Sequence, residues 1–183
     1  PLSFNNSIGA EEKRAVMEVL DSGELSGFVA SPGEQFYGGK KVRALQEEMS
    51  AFFGVKNAVA FNSATSGLHA AVYATGVAPG DEVITAGNSF VATTFAISHT
   101  GATPVLVDIN PSDHNLNVNL IEQAISPKTK AIVPVHLYGQ PGNMQAIQEI
   151  AEKHGLKIVE DSCQAHGSEY FGKRTGTLGD AGC

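Results

Sequence analysis

The sequence predicts an α/β protein whose mainly parallel sheet is covered by helices on both faces. From residue 56 onward, short apolar segments alternate with longer segments that have helical periodicity. The apolar segments are nearly continuous, which is typical of strands buried on both faces of a parallel sheet. The 183 residues are 42% hydrophobic and 17% charged, a composition that favours one sizeable core over disorder.

The first part of the chain is predicted to contain two helices joined by a long loop. Residues 11–20 and residues 41–53 carry apolar side chains at helical spacing. Residues 22–39 between them contain five glycines and Pro32, which indicates a loop. Loops of this length are uncommon in compact proteins and usually have a function.

The alternation that follows predicts five strands and four helices in one sheet-containing unit. The predicted strands are residues 58–61, 82–85, 104–107, 131–135 and 156–159, and the predicted helices are residues 65–75, 89–99, 119–125 and 144–154. In such sheets, ligands bind where a strand ends and the next helix begins. We therefore expect the functional residues directly after the strands.

Charge and composition exclude several classes of partner. The net charge is −7, and the twelve Lys and Arg residues are scattered, so the chain would repel nucleic acid and anionic membranes. An anionic ligand must be held by backbone amides or by a few placed side chains. Two cysteines cannot form a zinc cluster, residues 1–6 do not resemble a secretory signal, and no apolar run approaches the roughly 20 residues that span a bilayer. The predicted location is the cytoplasm.

Small and hydroxylated residues follow the first predicted strand. In residues 62–67 (NSATSG), at the start of the next helix, backbone amides are left exposed, and the helix dipole would add partial positive charge. This pattern predicts a phosphate site, although ordinary capping by Ser63 or Thr65 would produce the same sequence. Neither the G-x-G-x-x-G nor the Walker fingerprint is present.

Two further strand ends carry candidate ligand residues. Phe90 falls in the first turn of a predicted helix and could stack on a flat ring, although a core aromatic is the ordinary alternative. Asp161 and Gln164 follow the last predicted strand. Asp161 could hold a protonated pyridine nitrogen, the partner that pyridoxal 5′-phosphate (PLP) requires, and Gln164 could bind another ring substituent.

Three other residues invite interpretations that we consider weaker. Cys163 and His166 suggest thiol catalysis, but a nucleophile and its base usually come from distant segments. Cys163 is better explained as a small buried residue and His166 as a satisfied polar group. His136 follows a predicted strand, yet scattered histidines alone do not predict a metal site, and none is predicted.

Six segments together resemble the DegT/DnrJ/EryC1/StrS family of sugar aminotransferases from about Gly38 to Cys183. Each is weak alone, but their order and spacing are specific. They are residues 38–43 (GGKKVR), 62–69 (NSATSGLH), 79–84 (PGDEVI), 101–108 (GATPVLVD), 132–141 (IVPVHLYGQP) and 159–167 (VEDSCQAHG).

The resemblance implies a role for each candidate residue. Ala64 and Thr65 match the pair that contacts the PLP phosphate, where glycine is common at the first position. Phe90 matches the aromatic residue that stacks on the PLP ring. Asp161 matches the carboxylate at the pyridine nitrogen, and Gln164 matches the group near the ring hydroxyl.

The resemblance also implies a three-layer fold of the aspartate-aminotransferase type (PLP fold type I) and a homodimer with sites at the interface. Residues 1–39 would form an amino-terminal helix and loop, and residues 40–183 would form a partial PLP-binding large domain without the small carboxyl-terminal domain. The Schiff-base lysine of the family would lie beyond Cys183. None of the nine lysines of this chain has that context, so we expect the chain alone not to transaminate.

The resemblance implies that the parent protein transfers an amino group, with glutamate as donor, to a nucleotide-linked keto-sugar. One alternative is a dehydratase of the same family in which histidine replaces the lysine. Another is a PLP-binding regulator without catalysis. A nicotinamide-dependent oxidoreductase is disfavoured because the glycine fingerprint is missing.

Overall fold

The computed structural model describes residues 7–25 and 27–183. The chain divides into two compact units. One contains the described residues up to Phe52 together with Lys56–Val59, and the other contains Phe53–Val55 and Ala60–Cys183. Compactness does not test the predicted functional division at residue 39, which stays a prediction. The segment considered as a signal sequence, residues 1–6, lies outside the described residues.

The first unit contains the two predicted helices, which are confirmed. α1 spans Ala10–Ser22 and α2 spans Lys40–Phe53, with a short 3-10 helix at Glu34–Tyr37 in the loop between them. The α1 helix ends at Gly23, whose φ of 70° is left-handed backbone that glycine adopts without strain.

The second unit contains the sheet and the helices that cover it. Its helices are α3 (Ala64–Ala74), α4 (Val91–Ser98) and α5 (Met144–His154), and its strands are β1 (Glu82–Ala86), β2 (Thr103–Val107), β3 (Thr129–Val133), β4 (Lys157–Glu160), β5 (Glu169–Tyr170), β6 (Lys173–Arg174) and β7 (Ala181–Gly182). Five strands form a parallel sheet in the order β2-β1-β3-β4-β7, and β5 and β6 form a separate antiparallel hairpin. The predicted mainly parallel α/β fold is confirmed.

Side chains of the central strands point alternately to two hydrophobic clusters, so the unit has three layers. On one side, Val83 and Val133 pack with residues of α3 and α4 such as Leu68. On the other side, Ile84 and Ile132 pack with residues of α5. Successive side chains of a strand face opposite sides, which explains how nearly continuous apolar strands serve both clusters.

Two predicted elements are wrong. Residues 58–61 form no strand, and Phe61 is half exposed, so this apolar segment is not a buried strand. Residues 119–125 form two short 3-10 helices, Val118–Leu120 and Glu122–Ala124, rather than an α-helix. The segment is short, and Pro127 disfavours helical backbone at the residue before it.

The strand predicted at residues 131–135 is displaced toward the amino terminus. β3 ends at Val133 because Pro134 has no N–H group for the ladder, although Val135 still forms a single parallel bridge with Asp161. This bridge brings the segments that follow β3 and β4 together. No helix in the described part of the chain is long and apolar enough to cross a membrane.

Candidate functional site

A cavity opens in the second unit at the carboxyl edge of the parallel sheet. It encloses about 470 Å³ of empty space, including solvent at its mouth. The chain order reverses between β1 and β3, and such a switch point is where open α/β sheets bind ligands. The wall contains all five predicted ligand residues, namely Ala64, Thr65, Phe90, Asp161 and Gln164, together with Leu68, Ser89, Ala92, Val135 and Cys163.

The start of α3 provides the anion-binding part of the wall. Ser63 is the N-cap residue, and its hydroxyl accepts a hydrogen bond from the amide of Ser66 at 3.2 Å. Counted from the N-cap, the first four amides of a helix have no acceptor within the helix, and the Ser63 side chain satisfies the fourth of them, that of Ser66. Capping by Ser63 and an anion site at Ala64 and Thr65 are therefore compatible.

Phe90 is the N-cap residue of α4, one position before the first turn in which it was predicted to lie. Its side chain is 71% exposed and lines the cavity, so the alternative of a core aromatic is wrong. An exposed ring beside a cavity costs hydrophobic free energy that a stacked flat ligand would recover.

Asp161 is the buried acidic group of the cavity. Its side chain is 6% exposed, and its Oδ2 accepts a 2.7 Å hydrogen bond from the hydroxyl of Thr93. Its Oδ1 accepts a long 3.3 Å bond from the amide of Cys163, and the Cys163 thiol also interacts with this carboxylate. A carboxylate has acceptor capacity on both oxygens, so Oδ1 can still bind a donor in the cavity.

Gln164 presents a hydrogen-bond donor to the cavity. The backbone amide of Tyr138 donates to its Oε1 at 2.8 Å. Because that amide can only donate, the oxygen of Gln164 is identified and its Nε2 is left for a ligand acceptor. Tyr138 has a φ of 55°, a left-handed conformation that directs its amide toward Gln164.

The thiol interpretation of Cys163 finds no support. Cys163 is exposed rather than buried, and the described structure shows no hydrogen bond between it and His166, which is also exposed. A hydrogen bond to Cys183, together with partial burial, raises the pKa of the Cys163 thiol. A thiol with a raised pKa is protonated at neutral pH and is a poor nucleophile.

His136 is a structural residue whose partner the sequence did not reveal. Its Nδ1 accepts a hydrogen bond from the amide of Gly142 at 3.1 Å, so the proton lies on Nε2, which is 2.9 Å from Glu160 Oε2. Both ring nitrogens are occupied, and no cluster of metal-binding side chains occurs in residues 7–25 and 27–183. Glu160 and Asp161 therefore both have hydrogen-bond partners, as buried carboxylates require.

Ser162, which follows this acidic pair in the chain, differs from it in its hydrogen bonding. Its side chain is 1% exposed, and its hydroxyl has no hydrogen-bond partner among the described residues. We expect Ser162→Ala to raise the free energy of unfolding by about 1 kcal/mol, since a buried unpaired hydroxyl is removed. Urea denaturation of the two proteins measures the difference.

Ser168→Ala is the matched control, because the Ser168 hydroxyl donates to the carbonyl of Gly139 at 2.8 Å. This variant is expected to lose about 1 kcal/mol. A Ser162→Ala protein that is destabilised as much as Ser168→Ala would show that the Ser162 hydroxyl has a partner.

The cavity fits a phosphorylated pyridine. Outward amides and a helix dipole suit a phosphate, the exposed Phe90 suits a flat ring, and the remaining acceptor capacity of Asp161 suits a protonated ring nitrogen. The Nε2 group of Gln164 suits a ring oxygen. These features are the ones expected for PLP, and they occur around one cavity.

The sheet order and its helical layers define an α/β unit of PLP fold type I. A sequence profile of the DegT/DnrJ/EryC1/StrS aminotransferase family matches residues 6–183, and the chain belongs to that family. The resemblance inferred from the six segments is confirmed.

Two characterised relatives illustrate the family. The chain is 44% identical over 174 residues to the spore coat polysaccharide biosynthesis protein SpsC of Bacillus subtilis (strain 168), a match that covers 95% of this chain and 42% of SpsC. It is 41% identical over 167 residues to dTDP-3-amino-3,4,6-trideoxy-alpha-D-glucose transaminase of Streptomyces venezuelae, which covers 91% of this chain and 41% of that enzyme. The chain spans less than half the length of both.

Solved structures also resemble this chain and are likewise longer than it. The X-ray structure of an aminotransferase from Psychrobacter cryohalolentis superposes with a TM-score of 0.90 at 34% identity, covering 100% of this chain and 44% of that one. The structure of NtdA from Bacillus subtilis, which holds the cofactor PMP, superposes with a TM-score of 0.78 at 36% identity and covers 92% and 37% of the two chains.

Proposed function

We propose that the protein to which this chain belongs is a PLP-dependent aminotransferase that converts a nucleotide-linked keto-sugar to an amino-sugar, with glutamate as donor. The observation that carries the proposal is the convergence of Ala64, Thr65, Phe90, Asp161 and Gln164 on one cavity at the sheet edge. The relatives support the substrate class, since one is named as the transaminase of a dTDP-linked sugar.

Within this proposal, each residue has a defined task. The amides of Ala64 and Thr65 bind the phosphate, Phe90 holds the plane of the ring, and Gln164 donates to a ring oxygen. Asp161 keeps the ring nitrogen protonated, so that the bound cofactor can withdraw electrons from the reacting amine. These residues bind and orient the cofactor, and none of them supplies the amine that would hold it covalently.

No lysine of the described residues lines the cavity. We therefore propose that this chain binds the cofactor non-covalently and does not turn over. Incubation with PLP, glutamate and a keto-sugar nucleotide, with 2-oxoglutarate as the measured product, tests this. Steady production of 2-oxoglutarate by the 183-residue chain would contradict it. The dehydratase alternative is compatible with the same cavity, and a full-length protein that converts the keto-sugar and glutamate to a deoxy-sugar, 2-oxoglutarate and ammonia, with no amino-sugar formed, would establish it.

Phe90→Ala tests the cavity directly. Removing a stacking ring is expected to weaken binding of pyridoxamine 5′-phosphate (PMP) by about threefold to tenfold, with little change in stability because the side chain is 71% exposed. Quenching of PMP fluorescence measures the affinity.

Phe171→Ala is the matched control, since Phe171 is 86% exposed and does not line the cavity. Equal PMP affinities for the two variants would show that Phe90 does not contact the cofactor.

A homodimer and a cytoplasmic location belong to the same proposal. Tyr73 on α3 and Val91 and Phe95 on α4 leave apolar surface exposed, which is typical of an interface. Both cysteines are free, as in a reducing compartment. Sedimentation equilibrium tests the dimer, and a monomer at micromolar concentration would argue against it.

A further inference from the structure

Two hydroxyl groups connect the cavity wall to the inner oxygen of Asp161. The Thr93 side chain is 1% exposed, and its hydroxyl donates to Asp161 Oδ2 at 2.7 Å. Ser89, which lines the cavity, has its Oγ 2.7 Å from the same Thr93 oxygen. Thr93 has a single proton and gives it to the carboxylate, so Ser89 donates to Thr93.

This chain of hydrogen bonds distinguishes the two oxygens of Asp161. Oδ2 is held by Thr93 at 2.7 Å, whereas Oδ1 accepts a long 3.3 Å bond from the amide of Cys163, whose thiol also interacts with this carboxylate. Hydrogen bonds to an ionised group are shorter and stronger than those to a neutral one, and the bond from Thr93 restricts the rotation of the carboxylate. With Oδ2 held by Thr93, Oδ1 is the oxygen left for a ligand donor.

We propose that Thr93, supported by Ser89, is a positioning residue that fixes the orientation of the Asp161 carboxylate and so presents its Oδ1 to a cationic ring nitrogen. This inference rests on the proposed function, because the ring is that of PLP or PMP. Thr93 does not line the cavity, so its effect on a ligand must pass through Asp161.

Helical spacing alone does not predict this arrangement. Ser89 and Thr93 are four residues apart, but Ser89 precedes Phe90, the N-cap residue of α4, and lies outside the helix. Their link to Asp161 joins residues 68 positions apart and required the structure.

The test measures PMP labelled with ¹⁵N at the ring nitrogen, bound to the full chain and to two variants. Thr93→Val keeps the side-chain volume and removes the hydroxyl, whereas Thr93→Ser keeps the hydroxyl. We expect Thr93→Val to weaken PMP binding by about tenfold and Thr93→Ser to change it by less than about threefold.

The ring nitrogen gives a readout that a merely structural role would not change. In Thr93→Val, the carboxylate has lost the hydrogen bond that orients it, so it can rotate and its interaction with the protonated ring nitrogen weakens. The ¹⁵N chemical shift at pH 7 should therefore move toward that of neutral pyridine in Thr93→Val and stay at the wild-type value in Thr93→Ser.

The outcomes separate this inference from the proposed function. Failure of the wild-type chain to bind PMP would overturn the proposed function. If Asp161→Asn weakens PMP binding while Thr93→Val changes neither affinity nor the nitrogen shift, the positioning role alone is overturned. Should Thr93→Val fail to fold by circular dichroism, Ser89→Ala replaces it. That variant should shift the nitrogen in the same direction by a smaller amount, and an unchanged shift would overturn the positioning role.

Discussion

Asp161→Asn is expected to weaken binding of PMP by about thirtyfold or more. The substitution removes the charge that faces the ring nitrogen, and loss of one partner of a buried charge pair costs about 2–5 kcal/mol. Asparagine has nearly the same shape and keeps an oxygen for the hydroxyl of Thr93, so the fold should be retained. Fluorescence titration with PMP measures the affinity, and the ultraviolet absorption of the bound cofactor reports the state of its ring nitrogen.

Asp21→Asn is the control for the change of net charge. Asp21 is an exposed residue of α1 in the first compact unit, and its replacement should leave PMP affinity unchanged. A similar loss of affinity in both variants would mean that long-range electrostatics, rather than a contact with Asp161, determines binding. Wild-type affinity in Asp161→Asn would remove the central residue from the proposed site.

The sequence predicted the cavity better than it predicted the packing behind it. Phe90 and Asp161 could be predicted from the sequence because they follow apolar strands, and the carboxyl ends of parallel strands meet at one edge of the sheet. The strand predicted at residues 58–61 is wrong because apolar composition alone does not specify a strand. The contacts of Thr93 and Glu160 join segments distant in sequence, and no local pattern specifies such pairs.

Glu160 is an example of such contacts between distant segments, because four N–H donors bind its fully buried carboxylate. Oε1 accepts the amides of Leu178 and Gly179 at 2.6 and 2.7 Å, and Oε2 accepts the amide of Gly176 and His136 Nε2, both at 2.9 Å. The segment after the β5–β6 hairpin is thereby fixed to the end of β4. An added Cβ at Gly179 would lie 2.7 Å from the carbonyl oxygen of Ile158, so this close approach requires glycine.

Glu160→Gln is expected to lower the free energy of unfolding by about 3–5 kcal/mol, because two buried N–H donors lose their acceptor and each unpaired donor costs about 1–3 kcal/mol. In either orientation, the new amide group must point toward two N–H donors. His136 cannot relieve the conflict by moving its proton to Nδ1, because Nδ1 accepts the amide of Gly142. Urea denaturation monitored by circular dichroism measures the loss.

Glu149→Gln on the exposed side of α5 is the matched control and should change stability by less than about 0.5 kcal/mol. The two substitutions make the same chemical change and differ in what surrounds it. Because Asp161 is the next residue after Glu160, Glu160→Gln should also weaken PMP binding, and the control should not. A Glu160→Gln protein as stable as the control would mean that the segment from Gly176 to Gly179 is held by other contacts, and that Asp161 is positioned without its buried neighbour.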